Sequence, residues 1–135
     1  MIMPTIKFHQ DLRVYQKSFD TAMEIYQLSK IFPKEERYSL TDQIRRSSRS
    51  VSANISEACG KREYEKSFIA KLTDSEGEAR KTQTWLQFAR SCEYINEEQF
   101  KILNNQYNQI IGMLVNMMSQ SQNWCTFSSI NKEEK

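Results

Sequence analysis

The stretch LTDQIRRSSRSVSANISEACG, from Leu40 to Gly60, carries the strongest structural signal in the chain. Its apolar and small residues recur every three or four positions and predict one buried stripe: Leu40, Ile44, Ser47, Ser48, Val51, Ile55 and Ala58. A second stripe is displaced by about 100°, the rotation per residue of an α-helix. It is polar throughout and is called the polar stripe below: Gln43, Arg46, Ser50, Asn54 and Glu57. A bundle helix needs only the buried stripe, so the polar stripe predicts a further contact.

Three other segments share the helical period of this stretch. The predicted helices cover about residues 11–31, 40–59, 63–92 and 97–122, in one domain of residues 1–124 followed by a tail of residues 125–135. No segment alternates apolar and polar residues between turn signals, as a strand would. Four amphipathic helices with short links predict an all-α protein, an antiparallel up-down-up-down four-helix bundle.

Local signals refine this prediction. We expect Asp11 to cap the first helix, and Ser39 with Asp42, like Asn96 with Gln99, to form a capping box. The expected core side of the first helix is an apolar stripe: Leu12, Tyr15, Phe19, Ala22, Met23 and Tyr26. Gly77, inside the third helix, costs about 1 kcal/mol relative to alanine, and a tight backbone contact is the expected reason.

Composition indicates a cytoplasmic protein. The 135 residues have a formal net charge of +2, which is too small to indicate a nucleic-acid partner by itself. Cys59, Cys92 and Cys125 are odd in number and lack metal-ligand spacing, which is typical of reduced thiols. The start of the chain shows no signal-peptide run, and no segment approaches the ~20 consecutive apolar residues of a membrane span.

The predicted fourth helix lacks charge on its outer side. Between Lys101 and Lys132 there is no Asp, Glu, Lys, Arg or His. Its non-core positions, Asn108 and Asn116 among them, are polar but neutral, like the charge-depleted centre of a protein interface. We therefore expect this side and the polar stripe to contact other copies of the chain. The alternative is an exposed side rich in Asn and Gln.

No sequence feature indicates an enzyme. His9 is the only histidine, and no serine has a base within sequence reach. The Glu-x-x-His pairs of di-metal bundles are missing, as are phosphate-binding glycine loops. We expect no catalytic residue, metal or other cofactor.

The basic residues indicate a different function. The candidate nucleic-acid-binding residues cluster on the second helix and at the bend after it: Arg45, Arg49, Lys61, Arg62 and Lys66. Repeated around the axis of an oligomer, they would form a positive surface that binds phosphate backbones with steep salt dependence. Alternatively, Arg45 and Arg49 are solvated or pair with carboxylates such as Asp42. Arg46 belongs to the polar stripe and is expected to bond across the subunit contact.

The run FPKEERYSLTDQIRRSSRSVSANISEACGK resembles the signature of the proteins encoded in intervening sequences of bacterial 23S ribosomal RNA genes. The matching positions are Phe32, Pro33, Glu36, Gln43, Arg46, Ser50, Val51, Asn54, Ile55 and Glu57. Two family glycines are replaced, by Ala58 and Ser39. The resemblance implies a four-helix bundle that assembles as a homopentamer. It also implies kinship with the accessory variability proteins of diversity-generating retroelements, which are basic pentamers that bind reverse transcriptase and nucleic acid.

Three functions compete on these grounds. The first is a non-enzymatic oligomeric bundle that binds ribosomal RNA or other nucleic acid through helices two and three. The second is a protein-interaction scaffold, such as an accessory subunit of a reverse transcriptase. The third, a small enzyme, requires a pocket that gathers Gln43, Asn54 and Glu57 around a metal or ligand.

Overall fold

The computed structural model describes residues 7–125, which contain helices and no strand. The helices are α1 (Arg13–Ser29), α2 (Leu40–Cys59), α3 (Glu65–Ser91), α4 (Glu97–Ser119) and the short α5 (Ser121–Trp124), with 3-10 turns at His9–Asp11 and Lys34–Glu36. The four predicted long helices are confirmed, although the fourth breaks at Gln120 and restarts as α5. Of the predicted tail, only Cys125 lies within the described residues.

Neighbouring helices run antiparallel, as predicted. Ser18 contacts Ser52 at 2.9 Å between hydroxyl oxygens, while Arg45 Nε donates to Ser29 Oγ at 2.7 Å, so numbering falls along α1 as it rises along α2. Side-chain bonds show the same relation for the next two pairs: Ser47 with Thr82, Ser75 with Val51, Thr73 with Met118, and Gln83 with Asn108. The chain is therefore an up-down-up-down bundle.

The core lies along the predicted buried stripe of α2 and the sides of α3 and α4 that face it. Every residue of the predicted α2 stripe is buried. The facing helices bury large side chains at the predicted spacing: Phe68, Leu72 and Leu86 from α3, and Tyr107, Ile110 and Leu114 from α4. Small residues let α2 and α3 approach closely, since Ser75 Oγ donates to the Val51 carbonyl at 2.8 Å. Burial raises the pKa of the Tyr107 phenol.

The predicted core side of α1 is correct at Leu12 and Ala22, which are buried, and wrong at Phe19 and Met23. The buried residues are Val14, Ser18, Thr21, Ala22, Ile25 and Ser29, whereas Phe19 is 48% exposed and Met23 45%. Tyr15 and Tyr26 are half-buried. The hydroxyls of Ser18, Thr21 and Ser29 donate to carbonyls three or four residues earlier in α1, which makes their burial cheap.

Two of the three predicted caps are wrong. Asp11 belongs to a 3-10 turn, and Leu12 takes the N-cap position of α1 without a side-chain bond. Ser39 does not cap α2; its hydroxyl donates to Glu36 Oε1 at 2.6 Å, and that carboxylate accepts the Leu40 amide at 3.2 Å instead.

The capping box of α4 is confirmed. Asn96 Oδ1 accepts the Gln99 amide at 2.7 Å, and Gln99 Oε1 accepts the Asn96 amide at 2.9 Å. The tight contact expected at Gly77 is wrong, because a Cβ built there meets no atom within 4 Å.

Candidate nucleic-acid interface

Three cations surround one aromatic ring where α1 and α2 lie side by side. Arg45 Cζ lies 4.8 Å from the centroid of the Tyr26 ring, Lys30 Nζ 4.9 Å and Arg49 Cζ 5.7 Å. The ring's negative face attracts cations at such distances. Tyr26, Lys30, Arg45 and Arg49 are called the Tyr26 cluster below.

The Tyr26 cluster is anchored through Arg45. Arg45 Nε donates to Ser29 Oγ at 2.7 Å, and Ser29 Oγ donates to the Tyr26 carbonyl at 2.9 Å. This bond uses the inner nitrogen and leaves the terminal nitrogens of Arg45 available for a ligand. Asp42 pairs with Arg46 at 3.1 Å rather than with Arg45 or Arg49.

No carboxylate of residues 7–125 pairs with Lys30, Arg45 or Arg49. The acids of α1 lie elsewhere: Asp20 and Glu24 line the groove between α1 and α4. The side of α1 next to α2 thus keeps an uncompensated positive charge.

The other predicted basic residues form a second group. Lys61 and Lys66 are exposed around the α2–α3 turn, where Arg62 Nε donates to the Cys59 carbonyl at 3.2 Å. Twelve residues separate Lys61 from Arg49, which is about 18 Å along a helix axis. The five predicted residues therefore occupy two places rather than one.

The polar stripe lies on the α3 side of α2. Gln43 and Arg46 are exposed, and Ser50 and Asn54 are half-buried. Asn54 Nδ2 donates to the Ser50 carbonyl at 2.9 Å. The stripe thus runs along the groove between α2 and α3, on the other side of α2 from the Tyr26 cluster.

At one end of the polar stripe, Glu57 Oε2 accepts from Lys71 Nζ of α3 at 2.8 Å. This bond lowers the pKa of Glu57 and raises that of Lys71. Gln43 lies about 21 Å from Glu57 along the helix axis, so these residues do not form the pocket that an enzyme would require.

One buried donor beside this groove has no hydrogen-bond acceptor within residues 7–125: Trp85 Nε1. The neighbouring Glu78 carboxylate pairs with Lys81 at 3.3 Å. Gln43, Trp85 and Phe88 line a surface groove, and Phe88 is 52% exposed. Buried polar groups normally have a partner, so the Trp85 nitrogen marks a surface suited to a further contact.

The uncharged side of α4 is exposed at both predicted interface residues. Asn108 Oδ1 accepts from Gln83 Nε2 at 2.8 Å, and Asn116 Oδ1 accepts from Gln120 Nε2 at 3.4 Å. Both bonds link neutral groups, which leaves this side polar and without charge.

The remaining candidates are a metal centre, the histidine and a membrane span. No three His, Cys, Asp or Glu side chains between residues 7 and 125 are grouped as metal ligands. His9 Nδ1 lies 3.3 Å from Ser56 Oγ and packs edge-on against Tyr15, a contact that the sequence did not indicate. Within the same residues, no helix combines the length and apolar character needed to cross a bilayer.

Residues 10–116 match the family model described as 23S rRNA-intervening sequence protein. The chain belongs to this family. The match spans α1 to α4 and includes both the Tyr26 cluster and the polar stripe. The resemblance inferred from the α2 motif is thereby confirmed.

A solved structure of a bacterial protein shows the same fold. It is a protein of unknown function from the S23 ribosomal protein family of Bacteroides thetaiotaomicron VPI-5482, with a TM-score of 0.71 and 32% sequence identity. The alignment covers 78% of this chain and 95% of that one. Among curated proteins, no match was found.

The sequence pattern identified Arg45 and Arg49 of the Tyr26 cluster but not Tyr26 and Lys30. Aromatic residues at helical spacing normally belong to a core, and Tyr26 was assigned there. The available signal was the row of small hydroxyl residues on α1, Ser18 and Thr21, which can fill a tightly packed core side.

Proposed function

We propose that this family member is a non-enzymatic, self-assembling cytoplasmic bundle that binds RNA or other nucleic acid through basic residues of α2 and α3. The Tyr26 cluster supplies the principal contact to phosphates. Lys61, Arg62 and Lys66 supply a second contact at the other end of α2. No step of chemistry is assigned to any residue.

One observation carries the proposal: Arg45 and Arg49 are held against Tyr26 without a carboxylate of residues 7–125 to neutralise them. Surface arginines commonly pair with a nearby acid, as Arg46, Arg80 and Arg90 do here. Positioned guanidinium groups with free terminal nitrogens suit phosphate oxygens.

Assembly would multiply this positive surface. We propose that the polar stripe and the uncharged side of α4 contact neighbouring copies in a closed ring, the homopentamer that the family resemblance implies. The Trp85 indole nitrogen, which donates no hydrogen bond within residues 7–125, supports such a contact, because a neighbouring copy can supply an acceptor. Several weak phosphate contacts on one ring would then act together.

Salt-titrated binding to a mixed-sequence RNA tests the proposal. We expect the Arg45→Gln, Arg49→Gln double variant to bind more weakly and to reduce the slope of log affinity against log salt by about 2, one unit per lost phosphate contact. Arg80→Gln is the matched control, because Arg80 pairs with Glu76 at 2.9 Å and should change little. Wild-type binding that is absent, or that does not respond to salt, overturns the proposal.

A protein-interaction scaffold, such as an accessory subunit of a reverse transcriptase, is the second candidate. The exposed Phe88 beside the partnerless Trp85 favours it, because aromatic residues are enriched at protein interfaces. A reverse-transcriptase gene next to the coding sequence would supply the partner to test. Phe88→Asp should abolish co-elution with that enzyme, whereas the double arginine variant should not.

A further inference from the structure

We propose that the α1–α2 side binds single-stranded nucleic acid, with one base stacked on Phe19 while phosphates contact the Tyr26 cluster. The inference rests on the proposed function, since it names the form of nucleic acid that the same arginines contact. It assigns a role to Phe19, an uncharged residue of α1 whose side chain lies outside the core.

Tyr15 and Phe19 lie on the same side of α1 as Tyr26 and Lys30. At 100° per residue, positions 15, 19, 26 and 30 fall within about 60° of one another around the helix. Tyr15 and Phe19 are in contact, with ring centroids 6.1 Å apart and planes tilted by 31°. Phe19 lies about 10 Å along the axis from Tyr26, a separation that a strand of two or three nucleotides spans.

Tyr26 and Phe19 have different roles. The Tyr26 ring is already occupied by cations at 4.8 and 4.9 Å, so it positions guanidinium and ammonium groups rather than a base. Phe19 is 48% exposed, and no cation of residues 7–125 lies over its ring. Its tilted contact with Tyr15 restrains the ring and leaves a surface on which a base can stack.

This combination favours an unpaired strand over a duplex. Proteins that bind single strands pair a positive track for the backbone with aromatic rings on which bases stack. The bases of a duplex are stacked on one another and unavailable to Phe19. A duplex would gain only the phosphate contacts of Lys30, Arg45 and Arg49. The charge distribution agrees, because Asp20 and Glu24 lie on the α4 side of α1, away from the proposed track.

Fluorescence anisotropy with two labelled probes tests the inference: a uridine single strand of about 12 nucleotides, within the site sizes known for such proteins, and an RNA duplex of equal length. The wild-type protein should prefer the single strand. Phe19→Ala should weaken single-strand binding about tenfold, within the range of one lost base stack, and leave duplex binding unchanged. Met23→Ala is the matched control, because Met23 is a comparably exposed apolar residue of α1 that has no ring and lines the groove toward α4.

Phe19→Leu separates stacking from structure, since it keeps an apolar side chain of similar size and loses the ring. It should also weaken single-strand binding, and thermal unfolding of both variants should match the wild-type protein. Equal binding of the two probes, or no effect of either Phe19 variant, overturns the inference. If the arginine double variant still weakens binding in that case, the proposed function stands; if the wild-type protein binds neither probe, both fail.

Discussion

At the scale of single residues, Glu36 joins two turns at the same end of the bundle. Its Oε1 accepts the Ser39 hydroxyl and the Leu40 amide, and its Oε2 accepts the Tyr94 hydroxyl at 2.8 Å. The bond from Ser39, followed by those from Tyr94 and Leu40, lowers the pKa of Glu36 below its ordinary 4.5. The bond to Glu36 raises the pKa of Tyr94 to about 12. One carboxylate thus caps α2 and ties it to the turn before α4.

The stability of the bundle should depend on pH through Glu36. Its pKa is lower in the folded chain than in the unfolded one, so its contribution is present above pH 4.5 and is lost as the pH falls through the folded pKa. We expect Glu36→Gln to reduce the free energy of unfolding at pH 7 by about 0.5–1 kcal/mol, a modest value because the group is partly exposed. The difference should shrink in acid.

Urea denaturation at pH 7 and at progressively lower pH measures this effect. Glu35→Gln is the control, because Glu35 is an exposed carboxylate in the same turn. A Glu36→Gln protein with wild-type stability at pH 7, or a difference that widens in acid, would contradict the assigned role.

At the scale of whole helices, the core sides of α2, α3 and α4 follow from residue spacing. In those helices the buried positions include a regular row of large apolar residues, so periodicity identifies the core side although Ser and Thr share it in α2 and α3. In α1 they are partly Ser18, Thr21 and Ser29, whose hydroxyls are satisfied within the helix. Hydropathy therefore favours the aromatic residues of α1 as its core side.

The candidate site was likewise predictable from the sequence only in part. Arg45 and Arg49 stand out in the sequence as a cluster of like charge. Their positions against Tyr26 and Ser29 depend on how α1 is rotated in the bundle, which the misassigned core side concealed. The spacing of its residues predicted that the polar stripe forms one side of α2. That it lies on the α3 side of α2, opposite the Tyr26 cluster, required the tertiary structure.

Helix α3 contains a glycine that its own packing does not require. Gly77 is exposed and no atom lies within 4 Å of an added Cβ. We expect Gly77→Ala to raise the free energy of unfolding by about 1 kcal/mol, the difference in helix propensity. Thermal or urea denaturation measures the gain. Ala79→Gly, at a fully buried position of the same helix, should instead destabilise the bundle. If Gly77→Ala is destabilised and the mass of its assembly in solution changes, a neighbouring copy packs against this glycine.

At the scale of the whole molecule, the two sides of α2 can serve two contacts at once. The Tyr26 cluster lies toward α1, and the polar stripe lies toward α3. Assembly through the α3 side would leave the cations accessible on each copy. Self-association and nucleic-acid binding are therefore compatible in this fold, and the cations can be substituted without changing the proposed subunit contacts.

Charge placed on the proposed subunit contacts tests assembly. Native mass spectrometry at micromolar concentration should give the wild-type protein a mass that is a multiple of the 16.0 kDa chain. Asn54→Glu in the polar stripe and Asn116→Glu on α4 should each shift the population toward the single chain, because an unpaired charge is costly to bury. Thr84→Glu, at an exposed position of α3, should leave the mass unchanged.

Nucleic-acid affinity should fall together with assembly in the two Asn variants, although their Tyr26 cluster is untouched. A ring presents several copies of the cluster to one strand, and linked contacts bind more tightly than separate ones. The expected loss is about 100-fold or more for a multivalent surface, measured by anisotropy beside the mass of each variant. A wild-type protein that remains a 16.0 kDa single chain would refute assembly and this loss together. Full affinity in a disassembled variant would instead show that one bundle is the binding unit.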